Sequence, residues 1–411
     1  MRSDRRGFLK TSLASSTLMA LGDGTIPGFL AGTARAATHS RASEKILVVV
    51  QLIGGNDGLN TVIPHGMDGY GKYRRTLRIN SGHVQTITKE IGLHPRMSGL
   101  AKLNEAGNVS IIQGVGYPNP DRSHFRSMEI WETAEPNSRS LETGWLGRTL
   151  DSRVVKPGED IPGLHIGRGS QPIALRSKKT QVPTLEKIDE YRLKSESRSE
   201  REAIGDLAKL ERAGDDPLLG FLRRNSLAAY ESSQRLEHVI KSSQESSDYP
   251  SLGLARRLEL IAKVIKAGFG TKIFYTTLDG FDTHANQLGV HENLLGEFSD
   301  SVAAFHKDLA SAGQADRVAV LAFSEFGRRV AENASNGTDH GSAAPVFVIG
   351  PVAKPGLIGV HPRFDDLEDG DLKHHTDFRQ VYASILDDWL NVPSSSILGP
   401  GFSPLPLFDR N

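Results

Sequence analysis

The sequence predicts an α/β fold with a mostly parallel central sheet and helices on both faces. Three observations lead to that class. Near-continuous apolar runs rich in β-branched residues, Lys45 to Ile53 above all, read as strands buried on both faces. Stretches at helical spacing separate them, as in Leu294, Phe298, Val302, Phe305 and Leu309. Polar clusters then follow the strands, where open parallel sheets gather their chemistry.

In chain order, the first strand breaks at Gly54-Gly55. A helix is expected over Met97 to Ala106, a strand over Val109 to Gly114, and helices over Ser123 to Thr133 and Gly144 to Asp151. Between 176 and 250 Lys, Glu, Arg and Ser dominate, which reads as a polar helical insertion or cap rather than a second catalytic domain. Amphipathic helices are expected there over Leu218 to Lys241 and beyond it over Leu254 to Ala267. Strands follow at Lys272 to Leu278, Arg317 to Phe323 and Val346 to Ile349, with a closing helix over Phe378 to Leu390.

The chain opens on Asp4-Arg5-Arg6-Gly7-Phe8-Leu9-Lys10, a weakly apolar stretch to about Leu30, and the small residues Ala34-Arg35-Ala36-Ala37. This reads as a twin-arginine signal peptide over 1–37, although Asp4 stands where Ser or Thr is more usual. A retained anchor is disfavoured, because Gly22, Asp23, Gly24 and Pro27 interrupt a run that would need ~20 apolar residues to span. The expectation is export by the twin-arginine translocase to the periplasm or beyond, leaving one domain over 38–411.

Composition narrows the chemistry. The leader holds five Lys/Arg and two Asp, so its removal takes 49 basic and 49 acidic residues to 44 and 47, a formal charge of −3. That balance excludes the basic surplus a nucleic-acid partner requires. Cys is absent, so any metal site must use His, carboxylate and hydroxyl groups.

Five clusters carry candidate chemistry. Gly54-Gly55-Asn56-Asp57-Gly58-Leu59-Asn60-Thr61 ends the first strand; Asp57 is either part of a tight turn or a functional carboxylate. Asp121-Arg122-Ser123-His124-Phe125-Arg126-Ser127 sets a hydroxyl beside an imidazole at a helix start, suited to nucleophilic or anion chemistry; Ser123 could equally be a cap. Asp279-Gly280-Phe281-Asp282-Thr283-His284 has the ligand types and density of a metal site. Ser324-Glu325-Phe326-Gly327-Arg328 offers Glu325 as ligand, base or partner of Arg328 or Arg329. Asp339-His340-Gly341 suits a His ligand held by close backbone approach, whereas His374-His375-Thr376-Asp377 reads as a helix start.

Together, the stretches Leu52 to Thr61, Asp121 to Ser127, Asp279 to His284, Phe323 to Arg328 and Thr338 to Gly341 resemble the twin-arginine-exported bacterial proteins grouped as domain of unknown function 1501. The likeness spans roughly 45–392. That family is regarded as a distant relative of the alkaline phosphatase and sulfatase superfamily, which implies an alkaline-phosphatase-like fold with metals at the strand ends. Asp57 then matches an early Asp ligand, Ser123 lies in the nucleophile region, Asp282 and His284 match an Asp/His loop, and His340 a late His. Ser324-Glu325 stands where an Asp-His pair is expected, a departure that bears on a second metal.

The function expected is metal-dependent hydrolysis of a phosphate or sulfate ester. One or two divalent ions, Zn, Mn or Mg, would be held by Asp57, Asp282, His284, Glu325 and His340. Ser123 would be the nucleophile with Thr61 as fallback, His124 would assist, and Arg122 or Arg126 would grip the anion. The substrate would be a small anionic ester or a sulfated or phosphorylated glycan. A standard sulfatase is disfavoured, because the Cys/Ser-x-Pro-x-Arg context of its modified nucleophile is missing. The alternative is a non-catalytic secreted binding or assembly protein on the same fold.

Overall fold

The computed structural model describes residues 44–137, 142–153, 161–185, 248–361 and 363–409. The expected leader and the helix expected over 218–241 lie outside these residues, as does most of the expected insertion.

The strand expected at the start is β1 (Ile46–Ile53), whose side chains alternate between two cores. Ile46, Val48, Val50 and Leu52 belong to one, Leu47 and Val49 to the other. Burial on both faces explains the near-continuous apolar run, which only Gln51 interrupts, because almost no residue of such a strand meets water. The sheet adds β2 (Val109–Gly116), β3 (Gly163–Ile166), β4 (Thr184–Leu185), β5 (Ile273–Asp279), β6 (Val318–Phe323), β7 (Ala344–Ile349), β8 (Gly356–Ile358) and β9 (Thr376–Asp377). Its nine strands run in the order β8-β2-β7-β6-β1-β5-β3-β4, with β9 also paired to β2.

All described pairings in this sheet are parallel except those of β7, which runs antiparallel to β6 and β2. The α/β class predicted from the sequence is therefore the class observed. Nothing in the composition of Val346 to Ile349 marked its direction. That reversal nevertheless matters, because the chain enters β7 at the end where its parallel neighbours leave the sheet.

Helices cover both faces. The short α1 (Gly58–Thr61) and α2 (Asp68–Tyr73) follow β1. On the first core pack α3 (Ser98–Glu105), α6 (Gly253–Lys266) and α7 (Gln287–Ser311), through residues such as Leu100, Leu258, Phe298, Val302 and Phe305. On the second lie α4 (His124–Thr133), α5 (Trp145–Asp151) and α8 (Phe378–Ser384), through Trp131, Trp145 and Tyr382. A capping box of Asp377 and Gln380 starts α8, satisfying backbone donors that the first turn leaves unpaired. No helix of the described residues is long and apolar enough to cross a membrane.

Register fixes where the loops meet. Ile53 pairs with Asp279, and Gln51 with Phe323, so β1, β5 and β6 end at one level. Their loops, and the segment entering β7, converge at this edge.

Candidate metal centre

Two glycines let the loops close on one another. A Cβ on Gly54 would lie 2.3 Å from the backbone nitrogen of Asp282, and one on Gly55 would lie 2.3 Å from the Phe326 ring. Both have positive φ, +119° and +75°, which side chains disfavour. The strand-end glycines thus serve a close approach of two loops.

Beyond them stand His124, Asp282, His284 and His340. His124 opens α4, and Asp282 and His284 lie in the loop after β5. His340 forms an isolated antiparallel bridge with Arg328. Phe326, 1% exposed, supports two of the imidazoles, its ring 4.8 Å from the centroids of both His124 and His340.

Each imidazole presents one nitrogen to an acceptor that cannot donate. His124 Nδ1 donates to Glu325 Oε1 at 2.8 Å, His284 Nδ1 to Asp339 Oδ1 at 3.1 Å, and His340 Nδ1 to the Arg122 carbonyl at 2.8 Å. A carboxylate or carbonyl supplies no hydrogen, so all three Nδ1 atoms carry theirs, and in the neutral imidazoles the three Nε2 atoms present lone pairs. Those lone pairs gather on Asp282 Oδ1. His284 Nε2 lies 3.0 Å from it, His340 Nε2 3.2 Å and His124 Nε2 3.4 Å. His284 Nε2 and His340 Nε2 are 2.9 Å apart. His124 Nε2 is shielded from solvent and has no hydrogen-bond partner.

Opposed lone pairs at such distances repel unless positive charge stands between them. Adjacent ligand atoms on a cation with 2.0–2.1 Å bonds are about 2.9 Å apart at right angles and about 3.3 Å apart at a tetrahedral angle. The observed separations span that interval, so the residues fit a divalent cation. Among the described residues, His124, Asp282 and His340 form the one group of metal-ligating side chains compact enough for an ion, with His284 beside it.

Charge agrees. Asp282, Glu325 and Asp339 bring three carboxylates, and Arg328 brings one guanidinium, on Asp282 Oδ1 at 2.6 Å. Arg328 is fully buried and also donates to the carbonyls of Gly54, Gly55, Phe281 and Thr338, tying the three loops together. Formally two negative charges remain, the complement of a divalent ion. Partial burial pushes the Asp282 carboxyl up, but the hydrogen bond and charge of Arg328 lead the effects that outweigh it, and the pKa falls to about 2. The bond to Glu325 raises the pKa of His124, whereas burial lowers that of His340. Asn333 Nδ2 donates to Asp339 and, as the leading cause, lowers its carboxyl.

The other residues expected at the site fall elsewhere or behind it. Asp57, expected as a ligand, has no exposure, and both its oxygens are bound by Arg74. It also accepts from Leu59 N as the cap of α1, and from Gln287. A carboxylate so saturated has no lone pair aimed at the cluster. Thr61, the fallback nucleophile, is buried and donates to Asn56 Oδ1 and the Asp57 carbonyl, bracing the turn. Glu325, expected as a ligand, sits behind His124 and also accepts from Gly54 N, so its Oε1 is spent on these two donors.

Ser123 is exposed at the start of α4 and makes no capping bond through its side chain. Its neighbour Arg122 is anchored on Asp371 Oδ2 at 2.6 Å, while the Arg122 carbonyl holds His340. Arg126 turns away to Glu129 and the Pro136 carbonyl. The sequence reading missed the roles of Arg328 and Asp339. Their only signal was position, next to Glu325 and His340 in stretches already singled out.

The fold and this edge define an α/β protein with a His/Asp cluster at the carboxyl end of a mostly parallel sheet. The chain belongs to the DUF1501 family, described as a protein of unknown function, whose model matches residues 44–407. No curated protein matches it.

Solved structures similar to it include the zinc complex of the C-terminal periplasmic domain of EcEptC from Escherichia coli. That match has 11% identity and a TM-score of 0.36, covering 76% of this chain and 74% of that one. The PsFucS1 sulfatase from Pseudoalteromonas sp. has 10% identity and a TM-score of 0.37, with 90% and 74% covered. The alkaline phosphatase of the Antarctic bacterium TAB5 has 11% identity and a TM-score of 0.28, with 75% and 92% covered. Likenesses this distant carry no functional argument, and the site must supply it.

Proposed function

We propose that this protein is a metal-dependent hydrolase of phosphate or sulfate esters, with one divalent cation held by His124, Asp282, His340 and His284. The observation that supports it is the set of three imidazoles whose Nδ1 hydrogens are tied back and whose Nε2 lone pairs meet at Asp282 Oδ1. A cation bound there supplies Lewis acidity toward an ester oxygen. Nitrogen-rich ligation favours Zn over Mg. With Arg328 on Asp282 and Asp57 bound by Arg74, the described residues offer no second set of free ligands, so one ion is proposed where one or two were expected.

The chain's own groups divide the remaining work. Glu325 and Asp339 hold His124 and His284 in the ligating tautomer. Ser123, exposed beside His124 and free of capping duty, is the proposed nucleophile. Arg122, set by Asp371 next to the His340 contact, is the proposed anion grip. Residues 1–37 are proposed as a twin-arginine leader, 38–411 as one exported domain, and the polar stretch near 176–250 as its insertion.

Metal analysis of the purified chain tests the reading first, and about one zinc per chain is expected. The zinc-loaded protein should cleave 4-nitrophenyl phosphate or sulfate, and His340→Ala and Asp282→Asn should lose both metal and activity. Absence of stoichiometric metal in protein refolded with Zn, Mn or Mg would refute it. Full metal occupancy with no turnover on either ester class would instead favour a non-catalytic binding protein.

A further inference from the structure

The loop that carries Ser123, residues 117–123, leaves β2 with few donors of its own. Pro118 and Pro120 have no N–H, and Asn119 between them turns the chain with a φ of +55°. Among the described residues, no backbone-to-backbone hydrogen bond reaches 118–122. Side chains take that role. The Asp121 N–H donates to the Tyr117 hydroxyl at 2.9 Å, and the Ser123 N–H donates to Asp121 Oδ1 at 2.8 Å.

Tyr117 and Ser127 are both buried. Their hydroxyls lie 3.1 Å apart, and Ser127 Oγ meets the Glu325 carbonyl at 2.5 Å. A carbonyl only accepts, so the single Ser127 hydroxyl hydrogen points to Glu325, and the Tyr117 hydroxyl must donate to Ser127 Oγ. Burial pushes the Tyr117 hydroxyl above its ordinary pKa, so it keeps the hydrogen it donates. The hydrogen bonds therefore run in one direction, from Asp121 N–H through Tyr117 and Ser127 to the Glu325 carbonyl. They end on the residue whose carboxylate holds His124 Nδ1. Two buried hydroxyls thus tie the loop carrying Ser123 to the loop that backs the cluster.

We propose that Tyr117 is a positioning residue, whose hydroxyl holds the Asp121 backbone and through it sets Ser123 against the cluster. The catalytic part of this rests on the reading of Ser123 as the nucleophile of a hydrolytic site. Arg122 has separate anchors, its guanidinium on Asp371 and its carbonyl on His340. Loss of the Tyr117 hydroxyl should therefore displace the nucleophile more than the anion grip, and the effect falls on kcat instead of KM.

Tyr117→Phe keeps the ring, which packs edge-on to Phe378, and removes the hydroxyl alone. Hydrogen exchange in the full, zinc-loaded chain reads the loop directly. The Asp121 and Ser123 amides should exchange about tenfold faster or more, with the protection of the central sheet unchanged. On 4-nitrophenyl phosphate or sulfate, kcat should fall by about tenfold or more, while KM and zinc affinity stay within about twofold. Asp121→Ala, at a half-buried position that spares the core, should give the same split. The double variant should lose little more than the larger single loss, because both changes cut one chain of hydrogen bonds. Unchanged exchange at Asp121 and Ser123, losses that multiply in the double variant, or an effect confined to zinc affinity or melting temperature overturns the proposal. Wild type that cleaves neither ester removes the hydrolytic reading instead, and the exchange comparison then decides by itself whether Tyr117 sets the loop.

Discussion

Replacing Glu325 with glutamine separates a carboxylate that orients a ligand from one that binds the ion. Glu325 has no exposure, and its Oε1 accepts from Gly54 N at 2.9 Å and from His124 Nδ1 at 2.8 Å. Glutamine keeps the shape and one carbonyl acceptor but removes the charge. It can also turn its amide toward His124, which would release the imidazole from its ligating tautomer. Partners of metal-bound histidines are worth roughly 10–100-fold in affinity, or about 1.4–2.7 kcal/mol. Full burial leaves this carboxylate unscreened, so the upper half of that range is expected. Asp339→Asn provides the comparison. Asp339 holds His284 in the same way, but its side chain is 55% exposed, so its loss should cost less. Zinc affinity measured by competition with a chromophoric chelator should therefore fall in the order wild type, Asp339→Asn, Glu325→Gln. An unchanged affinity in Glu325→Gln, with the fold intact by circular dichroism, would refute the assignment. Total loss of metal would show that Glu325 is itself a ligand.

Other consequences follow from groups away from the ion. Asp57→Asn leaves the buried Arg74 without its partner, so urea denaturation should show a loss of about 3–5 kcal/mol while zinc affinity stays within about twofold. Burial pushes the Asp57 carboxyl up, but Arg74 and then His291 and Gln287 bring it below its ordinary value. Its stabilising contribution is thus present above the unfolded carboxylate range and lost as pH falls through the folded pKa. Acid unfolding of Asp57→Asn should accordingly depend less on pH below about 4. Glu132 behaves oppositely, because burial raises its pKa from 4.5 to about 7 and the folded state binds the extra proton. Stability should decline as pH rises through that window, and Glu132→Gln should relieve up to about 3 kcal/mol of this at pH 8 and little at pH 5, read from urea midpoints. Gly54→Ala puts a methyl on the Asp282 backbone in a disfavoured φ. Zinc affinity should fall by about tenfold or more, with a lower melting temperature.

The sheet could be read from the sequence because its interior is apolar on both faces. β5 and β6 begin and end within one residue of the spans expected from Lys272 to Leu278 and Arg317 to Phe323. β3, β4, β8 and β9 were not foreseen, since runs of two to four residues carry no period to recognise. Three ligands of the proposed site, Asp282, His284 and His340, could be named as such because His and Asp are rare in loops beside apolar strands, whereas His124 was expected to assist the nucleophile instead. The division of labour could not. A carboxylate at a strand end looks the same whether it faces a cluster of imidazoles, as Asp282 does, backs a histidine, as Glu325 does, or neutralises a distant arginine, as Asp57 does with Arg74. Only the partners decide, and they arrive from the end of α2, the start of α4, the loop after β5 and the loop between β6 and β7.

That loop also shows why the antiparallel strand of the large sheet, β7, lies where it does. Were β7 parallel to β6, its start would lie at the opposite end of the sheet and His340 would be carried away from Asp282. Running it antiparallel brings Ala344 level with Val115 and sets the residues just before it at the edge where β1, β5 and β6 end. His340 then closes the cluster from the side opposite β5 in sequence, and its Nε2 meets that of His284 at 2.9 Å. Two lone pairs held at that distance by rigid partners, Asp339 on one and the Arg122 carbonyl on the other, cost stability unless a cation or a proton separates them. Removing the ion should therefore lower the melting temperature of the wild type. In His340→Ala, where one lone pair of this contact is gone, added zinc should raise it much less. Equal melting temperatures for wild type with and without zinc would mean that the histidines pair through a proton instead, and the metal reading would lose its physical basis.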